Sequence, residues 1–324
     1  MACTECQIEK IPRLAIVLPC FNESESIDNV VAQLLALTDA LIEEGFIKQN
    51  SYLLFVDDGS LDDSWKMLDG WNKKKPQVKG LKLSKNFGHQ AALLAGLSAV
   101  TNDCDIAISI DADLQQDPQA MRQFIREYQN GSEVVLGVRR DRGTDGWLKK
   151  QTATGFYTVM RIMGVNVVPN HADYRLLGKR ALAALAQFHE PNILLRAACL
   201  ELGFKTSIVL FDVSERKFGS TKYSLKKMVR LALHGVTAFS VVPLRMVAIT
   251  GLFLFLITLG MGGYVIWRTI FVGDTVPGWA STTLPIYFIG GVQLLCLGVV
   301  GEYIGQIYKT VKNRPRWICE SKLD

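Results

Sequence analysis

Short apolar runs alternate with helical patterns over the first 140 residues of this 324-residue chain. The runs are rich in β-branched and aliphatic residues, and they predict buried strands at 14–18, 52–56, 78–83, 106–110 and 134–138. Between them, apolar residues recur at the three- and four-residue spacing of amphipathic helices, at 27–44, 62–74, 89–100 and 118–130. The last of these opens on a proline, which favours a helix start. Strands that alternate with helices indicate βαβ units and a mostly parallel sheet.

The pattern loosens after residue 138. Residues 139–150 are charged and contain glycine, which predicts a loop. Two segments then have helical spacing, at 151–163 and 179–188, and residues 205–213 predict a further strand. We therefore expect one α/β domain over residues 1–222.

Two long stretches near the carboxyl end have no charged side chain. Residues 246–267 are long enough to cross a bilayer, and a second uncharged stretch runs from 275 to 301. A pair of buried core helices is the alternative, but two such spans in succession favour membrane insertion. Basic residues flank both outer ends, while the loop between the spans carries only Arg268 and Asp274. By the positive-inside rule, both outer flanks are cytoplasmic.

The segment before the first span predicts a different kind of helix. Residues 224–235 place apolar side chains on one helical face and basic ones on another, which is typical of a helix at the membrane interface, although an ordinary surface helix has the same pattern. The predicted organisation is thus a cytoplasmic domain over 1–222, a juxtamembrane amphipathic helix over 223–240, a two-helix transmembrane region over 241–308 and a cytoplasmic tail over 309–324.

Composition narrows the class of protein. The net charge of +5 is too mild to indicate nucleic-acid binding. The seven cysteines are odd in number and scattered, which is typical of a reducing compartment rather than a disulfide framework. The first residues contain no apolar stretch, so no cleaved signal peptide is expected.

Acidic residues follow three of the predicted strands. Asp111 and Asp113 lie two positions apart after the strand at 106–110, and two carboxylates in this position can share a hard cation such as Mg²⁺ or Mn²⁺. Gln115 can supply a further oxygen. Asp57 and Asp58 follow the second strand, and Glu23 follows the first. No G-x-G-x-x-G turn accompanies them, so the pattern favours a nucleotide held through its base, its ribose and a bridging metal rather than a dinucleotide.

These motifs together resemble a known family. The sequences PCFNE at 19–23, VDDGS at 56–60, NFG at 86–88 and DADLQQDP at 111–118 resemble inverting glycosyltransferase family 2, with its GT-A fold. Further motifs resemble the polyisoprenyl-phosphate glycosyltransferases: RKFGSTKY at 216–223, PLR at 243–245, GEYIG at 301–305 and NRPR at 313–316. The likeness covers roughly residues 13–317. Thr221 stands where the pattern has serine, and the Q-x-x-R-W motif of processive polysaccharide synthases is absent.

The resemblance implies roles for individual residues. It implies that Asp57 reads the nucleobase, that Asp111 meets the ribose or the metal, and that Asp113 and Gln115 bind the metal at the donor diphosphate. The full set that it implies for donor binding is Pro19, Asn22, Glu23, Asp57, Asp58, Lys85 and Asp111. Catalytic participation is implied for Asp113, Arg139 and Asp173, and whether Asp173 orients a donor hydroxyl or acts as a base is left open. With four histidines and no H-x-x-x-H, neither His89 nor His171 is expected to bind metal.

A lipid phosphate makes a particular demand on an acceptor site. A phosphate monoester has a second pKa near ~6, so it is largely dianionic at neutral pH and needs no strong base. It needs relief from repulsion by the donor diphosphate, which charge-assisted hydrogen bonds supply. The candidate residues for this are Arg139, Arg142, Lys149, Lys150, Arg216, Ser220 and Lys222.

The resemblance therefore implies sugar transfer from a nucleotide-sugar to polyprenyl phosphate by a multi-pass protein of the inner (cytoplasmic) membrane. Glucose from UDP-glucose is the first choice of donor, because ADYRL at 172–176 and HGVTAFSVVPLR at 234–245 resemble bactoprenol glucosyltransferases. Donors of formamido-arabinose, N-acetylhexosamine or mannose remain open, as does a homo-oligomer, since glycine-rich spans permit close helix packing. The alternatives of another class are a non-catalytic lipid-binding membrane protein and a dinucleotide-dependent oxidoreductase.

Overall fold

The structure, a computed structural model, describes residues 11–140, 168, 171–188, 193, 195–212, 242–271, 279–312 and 314–324. Among these, the residues up to 212 and those from 314 onward form one compact unit, and residues 242–312 form a second. The helices predicted at 151–163 and 224–235 lie outside the described residues. So do six of the predicted acceptor-phosphate residues: Arg142, Lys149, Lys150, Arg216, Ser220 and Lys222.

Eight strands of the first unit form a single sheet in the order β7-β5-β6-β4-β1-β2-β3-β8. Their bounds are β1 (Leu14–Cys20), β2 (Tyr52–Asp57), β3 (Val78–Leu83), β4 (Ile106–Ser109), β5 (Val134–Arg139), β6 (His171–Gly178), β7 (Thr206–Phe211) and β8 (Cys319–Leu323). β1 pairs in parallel with β2 and β4, β2 with β3, and β5 with β7. β6 lies antiparallel between β4 and β5, and β8 lies antiparallel on β3.

The helices of this unit follow the strands in the βα order that the pattern predicts. They are α1 (Ile27–Glu43), α2 (Ser64–Lys74), α3 (His89–Val100), a 3₁₀ turn (Pro118–Ala120) leading into α4 (Met121–Gln129), α5 (Lys179–Ala186) and α6 (Leu195–Glu201). All seven positions of β1 are buried, as expected for a central strand of a sheet that is covered on both faces.

Helix α3 packs closely on the sheet at a glycine, Gly96. A Cβ atom at Gly96 would lie 2.4 Å from Cγ1 of Val17 and 2.7 Å from Cγ2 of Val56, so a larger residue would force the helix away. This close packing holds α3 against β1 and β2.

The predicted strands and helices of the described α/β unit are confirmed to within a few residues at each end, including β7. Two strands were not predicted. β6 carries His171, Asp173 and Arg175 among its apolar residues, which obscures the period of a strand. β8 lies in a segment that we expected to form a tail. There, backbone pairing with β3, an ion pair of Lys82 with Glu320 at 3.2 Å and a hydrogen bond from Arg316 to the carbonyl oxygen of Phe188 attach residues 314–324 to the sheet.

The second unit consists of two long helices, α7 (Val242–Phe271) and α8 (Trp279–Val311), which pack against each other. Within the described residues, one helical segment, Phe288–Gly305, is long and apolar enough to cross a membrane by length and composition. The second predicted span, and the side of the membrane on which each loop lies, therefore stay predictions.

Candidate active site

The carboxyl ends of the parallel strands meet at one edge of the sheet, which is where open α/β sheets bind ligands. Asp57 ends β2, Asp111 follows β4, and Arg139 ends β5. Because β6 runs in the opposite direction, its amino end reaches the same edge. The pairing of Ser109 with Arg175 continues in register to place Asp173 across from Asp111.

Asp57 is completely buried, and its two oxygens differ in their contacts with the described residues. Oδ1 accepts a hydrogen bond from the backbone N–H of Ser60 at 3.0 Å. Oδ2 is buried and makes no hydrogen bond to any described residue. A buried carboxylate oxygen without a donor is costly, so the site is suited to a ligand that brings an N–H or O–H group to it.

Asp58 has contacts of a different kind. Its Oδ1 and Oδ2 accept hydrogen bonds from the backbone N–H groups of Phe87 and Gly88, at 2.7 and 2.9 Å. Burial raises the pKa of Asp58, and these two hydrogen bonds oppose that rise. The carboxylate thus holds the loop before α3 in place. Lys85, in the same loop, places its Nζ 5.1 Å from the ring centre of Phe87.

The residues after β1 connect strand ends to one another. Asn22 adopts a left-handed backbone with φ of 54°, which asparagine tolerates better than most residues. Its N–H donates to Oγ of Ser60 at 2.9 Å, and its Oδ1 accepts from the N–H of Leu61 at 2.8 Å. The Glu23 carboxylate accepts the Ser26 hydroxyl at 2.9 Å, at the start of α1. Pro19 is buried inside β1, opposite Val56.

Gln116, which the sequence analysis did not name, holds Asp111, one member of the acidic pair. Nε2 of the buried Gln116 donates to Oδ2 of Asp111 at 2.7 Å, and its Oε1 accepts from the Asp111 N–H at 3.2 Å. Gln115, the predicted metal ligand, donates its backbone N–H to Oδ1 of Asp113 at 3.2 Å. Leu114, between Asp113 and Gln115, has a φ of 46°. This is a strained conformation for leucine, and such conformations cluster at functional sites.

The acidic pair fits a divalent cation that shares its ligands with a substrate. Burial raises the pKa of Asp111, and the negative charges of Asp173 and Asp113 raise it further, so a cation here would relieve an unfavourable concentration of charge. Among the residues that the structure describes, no group of three or more His, Cys, Asp or Glu side chains is arranged to hold a metal by itself. Mg²⁺ is commonly bound by one or two carboxylates with substrate phosphates completing its coordination, and Asp111 and Asp113 supply those two carboxylates.

Asp173 is the centre of a cluster of cations. Its Oδ1 accepts from Nη2 of Arg175 at 2.5 Å and from Nε of Arg196 at 3.4 Å. Its Oδ2 accepts from Nη2 of Arg196 at 3.1 Å and lies 3.6 Å from Nε2 of His89. The same His89 nitrogen lies 3.6 Å from Oδ1 of Asp111. His89 therefore bridges the two acids.

These contacts decide the charge of Asp173. Burial by itself would raise the pKa of Asp173, but the nearby His89 and the charges of Arg175 and Arg196 hold that pKa well below its usual range. The same carboxylates raise the pKa of His89 against the opposing effect of burial. His171, close by and buried, has its pKa lowered to about 2 by burial and by the same two arginines.

The sequence pattern placed Asp57, Asp111 and Asp113 at this edge, and the family resemblance named Asp173 without placing it on a strand. The structure brings the strand ends that carry these four residues together. Arg139 is exposed at the end of β5, close enough for its charge to lower the pKa of Asp111. His89, Arg175 and Arg196 were missed as contributors. A signal for Arg175 existed, since it lies two residues after Asp173 on an otherwise apolar strand, whereas nothing local connects Arg196 or His89 to Asp173.

A mostly parallel α/β sheet with carboxylates along its carboxyl edge defines a class of α/β protein with a polar ligand site at that edge, and comparison with known proteins narrows the class. The chain belongs to glycosyl transferase family 2, which matches residues 15–185. Residues 242–307 match the family described as the GtrB C-terminal hairpin.

Similar proteins cover nearly the whole chain. The uncharacterized glycosyltransferase YkoT of Bacillus subtilis (strain 168) is 45% identical over 314 residues, 96% of this chain and 92% of that protein. The bactoprenol glucosyl transferase of Shigella phage SfX is 35% identical over 314 residues, 96% of this chain and 99% of that protein. Among solved structures, the mannosyltransferase PcManGT from Pyrobaculum calidifontis is similar over 72% of this chain and 65% of its own, with a TM-score of 0.49 and 16% identity. The chain is thus a glycosyltransferase, as its motifs predicted.

Proposed function

We propose that this protein transfers a sugar from a nucleotide-sugar to the phosphate of a polyprenyl lipid, with inversion at the sugar carbon and with the help of a divalent cation. The observation that carries the proposal is the arrangement of Asp57, Asp111 and Asp113 along one sheet edge, where a buried oxygen of Asp57 accepts no hydrogen bond from any residue that the structure describes. The similarity to proteins named bactoprenol glucosyl transferase supports the lipid acceptor.

In this proposal the donor lies across the ends of β1, β2 and β4. The unpaired oxygen of Asp57 accepts an N–H from the nucleobase, which satisfies the buried carboxylate. Three acidic or amide side chains shape this part of the site by holding its loops. Asn22 joins the loop after β1 to the turn after β2, and Glu23 accepts a hydrogen bond at the start of α1. Asp58 holds the loop before α3.

The diphosphate end of the donor lies at Asp111 and Asp113, which would hold the Mg²⁺ or Mn²⁺ ion, with Gln115 as a further ligand. When bound, the cation offsets the negative charge that develops on the leaving nucleotide. The hydrogen bond from Gln116 and the left-handed backbone at Leu114 fix the position of Asp111. The Asp111 carboxylate therefore needs little rearrangement to bind the cation.

The acceptor phosphate approaches as a dianion that is already nucleophilic, so the chain has to neutralise it rather than deprotonate it. Arg139 lies at the correct edge, at the end of β5. Arg142, Lys149, Lys150, Arg216, Ser220 and Lys222 complete the proposed acceptor site. Glucose from UDP-glucose is the proposed donor, because several relatives that match over nearly the whole chain are named bactoprenol glucosyl transferase.

A lipid acceptor requires the site to be near a membrane. We propose that α7 and α8 form a two-span hairpin, that residues 224–235 lie in the interface, and that the α/β unit is on the cytoplasmic side. The apolar segment Phe288–Gly305 and the match of residues 242–307 to a C-terminal hairpin family support this arrangement.

The test is a panel of nucleotide-sugars incubated with the purified protein in detergent, with and without polyprenyl phosphate. We expect a sugar-phospholipid product that forms with a UDP-sugar, requires Mg²⁺ or Mn²⁺, and is lost when EDTA is added. If product forms only with a GDP-sugar, the proposed reaction stands but its donor is a GDP-sugar and not UDP-glucose. If no sugar-lipid forms with any donor, although the protein binds the lipid, the reading as a non-catalytic lipid-binding protein would be correct instead.

A further inference from the structure

Resting on the proposed function, we infer that Tyr174 is a positioning residue for the cation site, because its hydroxyl attaches the end of the acid loop, residues 111–117, to β6. Three observations carry this inference. They are the contacts at the two ends of the acid loop, the left-handed backbone in its middle, and the packing that fixes the Tyr174 ring.

Two different side chains hold the ends of the acid loop. Within the loop, the buried Gln116 reaches back to Asp111, where its Nε2 donates to Oδ2 at 2.7 Å and its Oε1 accepts from the N–H at 3.2 Å. At the far end, the Tyr174 hydroxyl donates to the carbonyl oxygen of Asp117 at 3.2 Å and lies 3.5 Å from the carbonyl oxygen of Pro118. Gln116 therefore closes the loop on itself, and Tyr174 joins the closed loop to a strand of the sheet.

The middle of the acid loop has a conformation that depends on fixed ends. Leu114 has a φ of 46°, which is unfavourable for leucine. A strained backbone of this kind persists only where the surrounding structure determines it. Its two neighbours, Asp113 and Gln115, are proposed cation ligands, so a change in the Leu114 backbone would redirect both of them. Holding the far end of the loop therefore helps to keep the proposed ligands in place.

The Tyr174 side chain is itself fixed by packing. It is completely buried, and its ring centre lies 4.5 Å from that of Phe124 and 5.3 Å from that of Phe211. Burial raises the pKa of Tyr174 and the charge of Asp117 raises it further, so the hydroxyl stays protonated and can donate to a carbonyl oxygen. A buried tyrosine hydroxyl without a partner is unfavourable, which favours the observed contact with the loop.

The place of Tyr174 on β6 relates the cation site to the Asp173 cluster. Tyr174 follows Asp173 directly along the strand, and successive side chains of a strand point to opposite faces. Asp173 lies near His89, whereas Tyr174 packs against Phe124 of α4. Adjacent residues of one strand thus hold the acid loop on one face and the Asp173 cluster on the other.

The experiment compares Tyr174→Phe with Tyr52→Phe, because each variant removes one hydroxyl from a buried tyrosine. Tyr52 begins β2, at the end of the strand opposite Asp57, and its hydroxyl interacts with Asp103. The first readout is the affinity of the full-length protein in detergent for Mn²⁺ alone, measured from the electron paramagnetic resonance signal of the free ion. The second readout is the Mn²⁺ concentration that half-activates sugar transfer, together with the rate at saturating Mn²⁺.

We expect Tyr174→Phe to bind Mn²⁺ about twofold to tenfold more weakly than wild type, which is the range expected for one neutral hydrogen bond. Half-activation of transfer should require correspondingly more Mn²⁺, and the maximal rate should change less than the Mn²⁺ requirement. Tyr52→Phe should bind Mn²⁺ like wild type. Thermal unfolding of both variants shows whether each one is folded and how much stability each hydroxyl contributes.

Two results would overturn the inference. One is a folded Tyr174→Phe that binds Mn²⁺ as tightly as wild type. The other is a Tyr52→Phe that loses as much Mn²⁺ affinity as Tyr174→Phe, which would show that the effect follows from lost stability and not from the acid loop. Because Mn²⁺ binding is measured without substrates, it does not depend on sugar transfer. A wild-type protein that binds Mn²⁺ and transfers no sugar would overturn the proposed function alone.

Discussion

A Cβ atom added at Gly59 would lie 2.4 Å from the carbonyl carbon of Lys85. The turn after β2 and the loop after β3 therefore touch through their backbones. Gly59 also has a φ of +71°, a left-handed conformation that costs other residues energy. This contact holds the Asp57–Asp58 turn against the loop that leads to His89, so the two halves of the proposed donor site depend on one glycine.

We predict that Gly59→Ala is more destabilising than a change at another glycine of similar conformation. Gly45 has a φ of +74° and nothing within 4 Å of its added Cβ, so Gly45→Ala carries the conformational cost alone, about 1–2 kcal/mol. Gly59→Ala adds a backbone clash of about 1–3 kcal/mol. The measurement is the thermal midpoint of both variants in one detergent. Equal midpoints would show that the clash is relieved at no cost.

Asp113→Ala should abolish sugar transfer and leave folding intact, because the Asp113 side chain is exposed at the sheet edge and outside the core. Asp63→Ala is the matched control, since Asp63 is an exposed aspartate whose ion pair is with Lys66 on the surface. The assay is product formation at saturating Mg²⁺ and Mn²⁺. Turnover of Asp113→Ala at the wild-type rate would remove Asp113 from the metal site.

Acid should destabilise the protein through His171 before the carboxylates titrate. Buried beside Arg175 and Arg196 and near Asp173, His171 has a native pKa of about 2, whereas an unfolded histidine has a pKa of about 6.5. Between these values the unfolded chain binds a proton that the native chain does not, so stability falls as the pH falls. From pH 7 to 5 the loss is about 2 kcal/mol.

The measurement is denaturant unfolding of wild type and His171→Gln at pH 7 and pH 5. The variant has no titrating group at this position, so its stability should depend less on pH in this window. Parallel pH dependences of the two proteins would show that the pKa of His171 is the same in the native and the unfolded state, which contradicts the prediction.

The predicted membrane topology can be tested by labelling introduced cysteines. If both ends are cytoplasmic, a cysteine replacing Asp274 should react with an impermeant thiol reagent in intact cells after the native cysteines are replaced. Lys85→Cys, exposed on the α/β unit, serves as the cytoplasmic control and should react only after lysis. Labelling of Lys85→Cys in sealed cells would show that the α/β unit lies outside, which is the opposite of the predicted orientation.

Arg216 and Lys222 should serve the acceptor more than the donor, because they precede the segment predicted to lie at the interface, where a lipid phosphate is held. Removing one charge-assisted hydrogen bond costs about 1.5–3 kcal/mol, or about tenfold to hundredfold in efficiency. Arg216→Ala should raise the Michaelis constant for the lipid, lower turnover, or both, with nucleotide-sugar binding unchanged in calorimetry. Lost donor binding with unaltered lipid dependence would assign Arg216 to the donor.

Much of the α/β unit could be predicted because its elements depend on local periodicity. β1 to β5 have apolar runs that are readable without a partner, and α3 was predicted with the bounds observed. β8 could not be predicted, since Cys319–Leu323 contains two charged residues and becomes a strand by pairing with β3. The sequence did not show that Gln116 binds Asp111. Which of the two adjacent glutamines reaches Asp111 depends on the left-handed backbone at Leu114, which the sequence does not reveal.

The sequence by itself determined which strand ends carry acids, because a run of buried residues followed by aspartate is visible in the order of residues along the chain. Only the tertiary structure decided which of those acids face one another. β6 runs antiparallel between β4 and β5, and that reversal brings Asp173 opposite Asp111. The charge of Asp173 is set by Arg196, 23 positions away, and by His89 at the end of another helix. Coulombic interactions depend on distance in space, and the linear order of residues does not contain that distance.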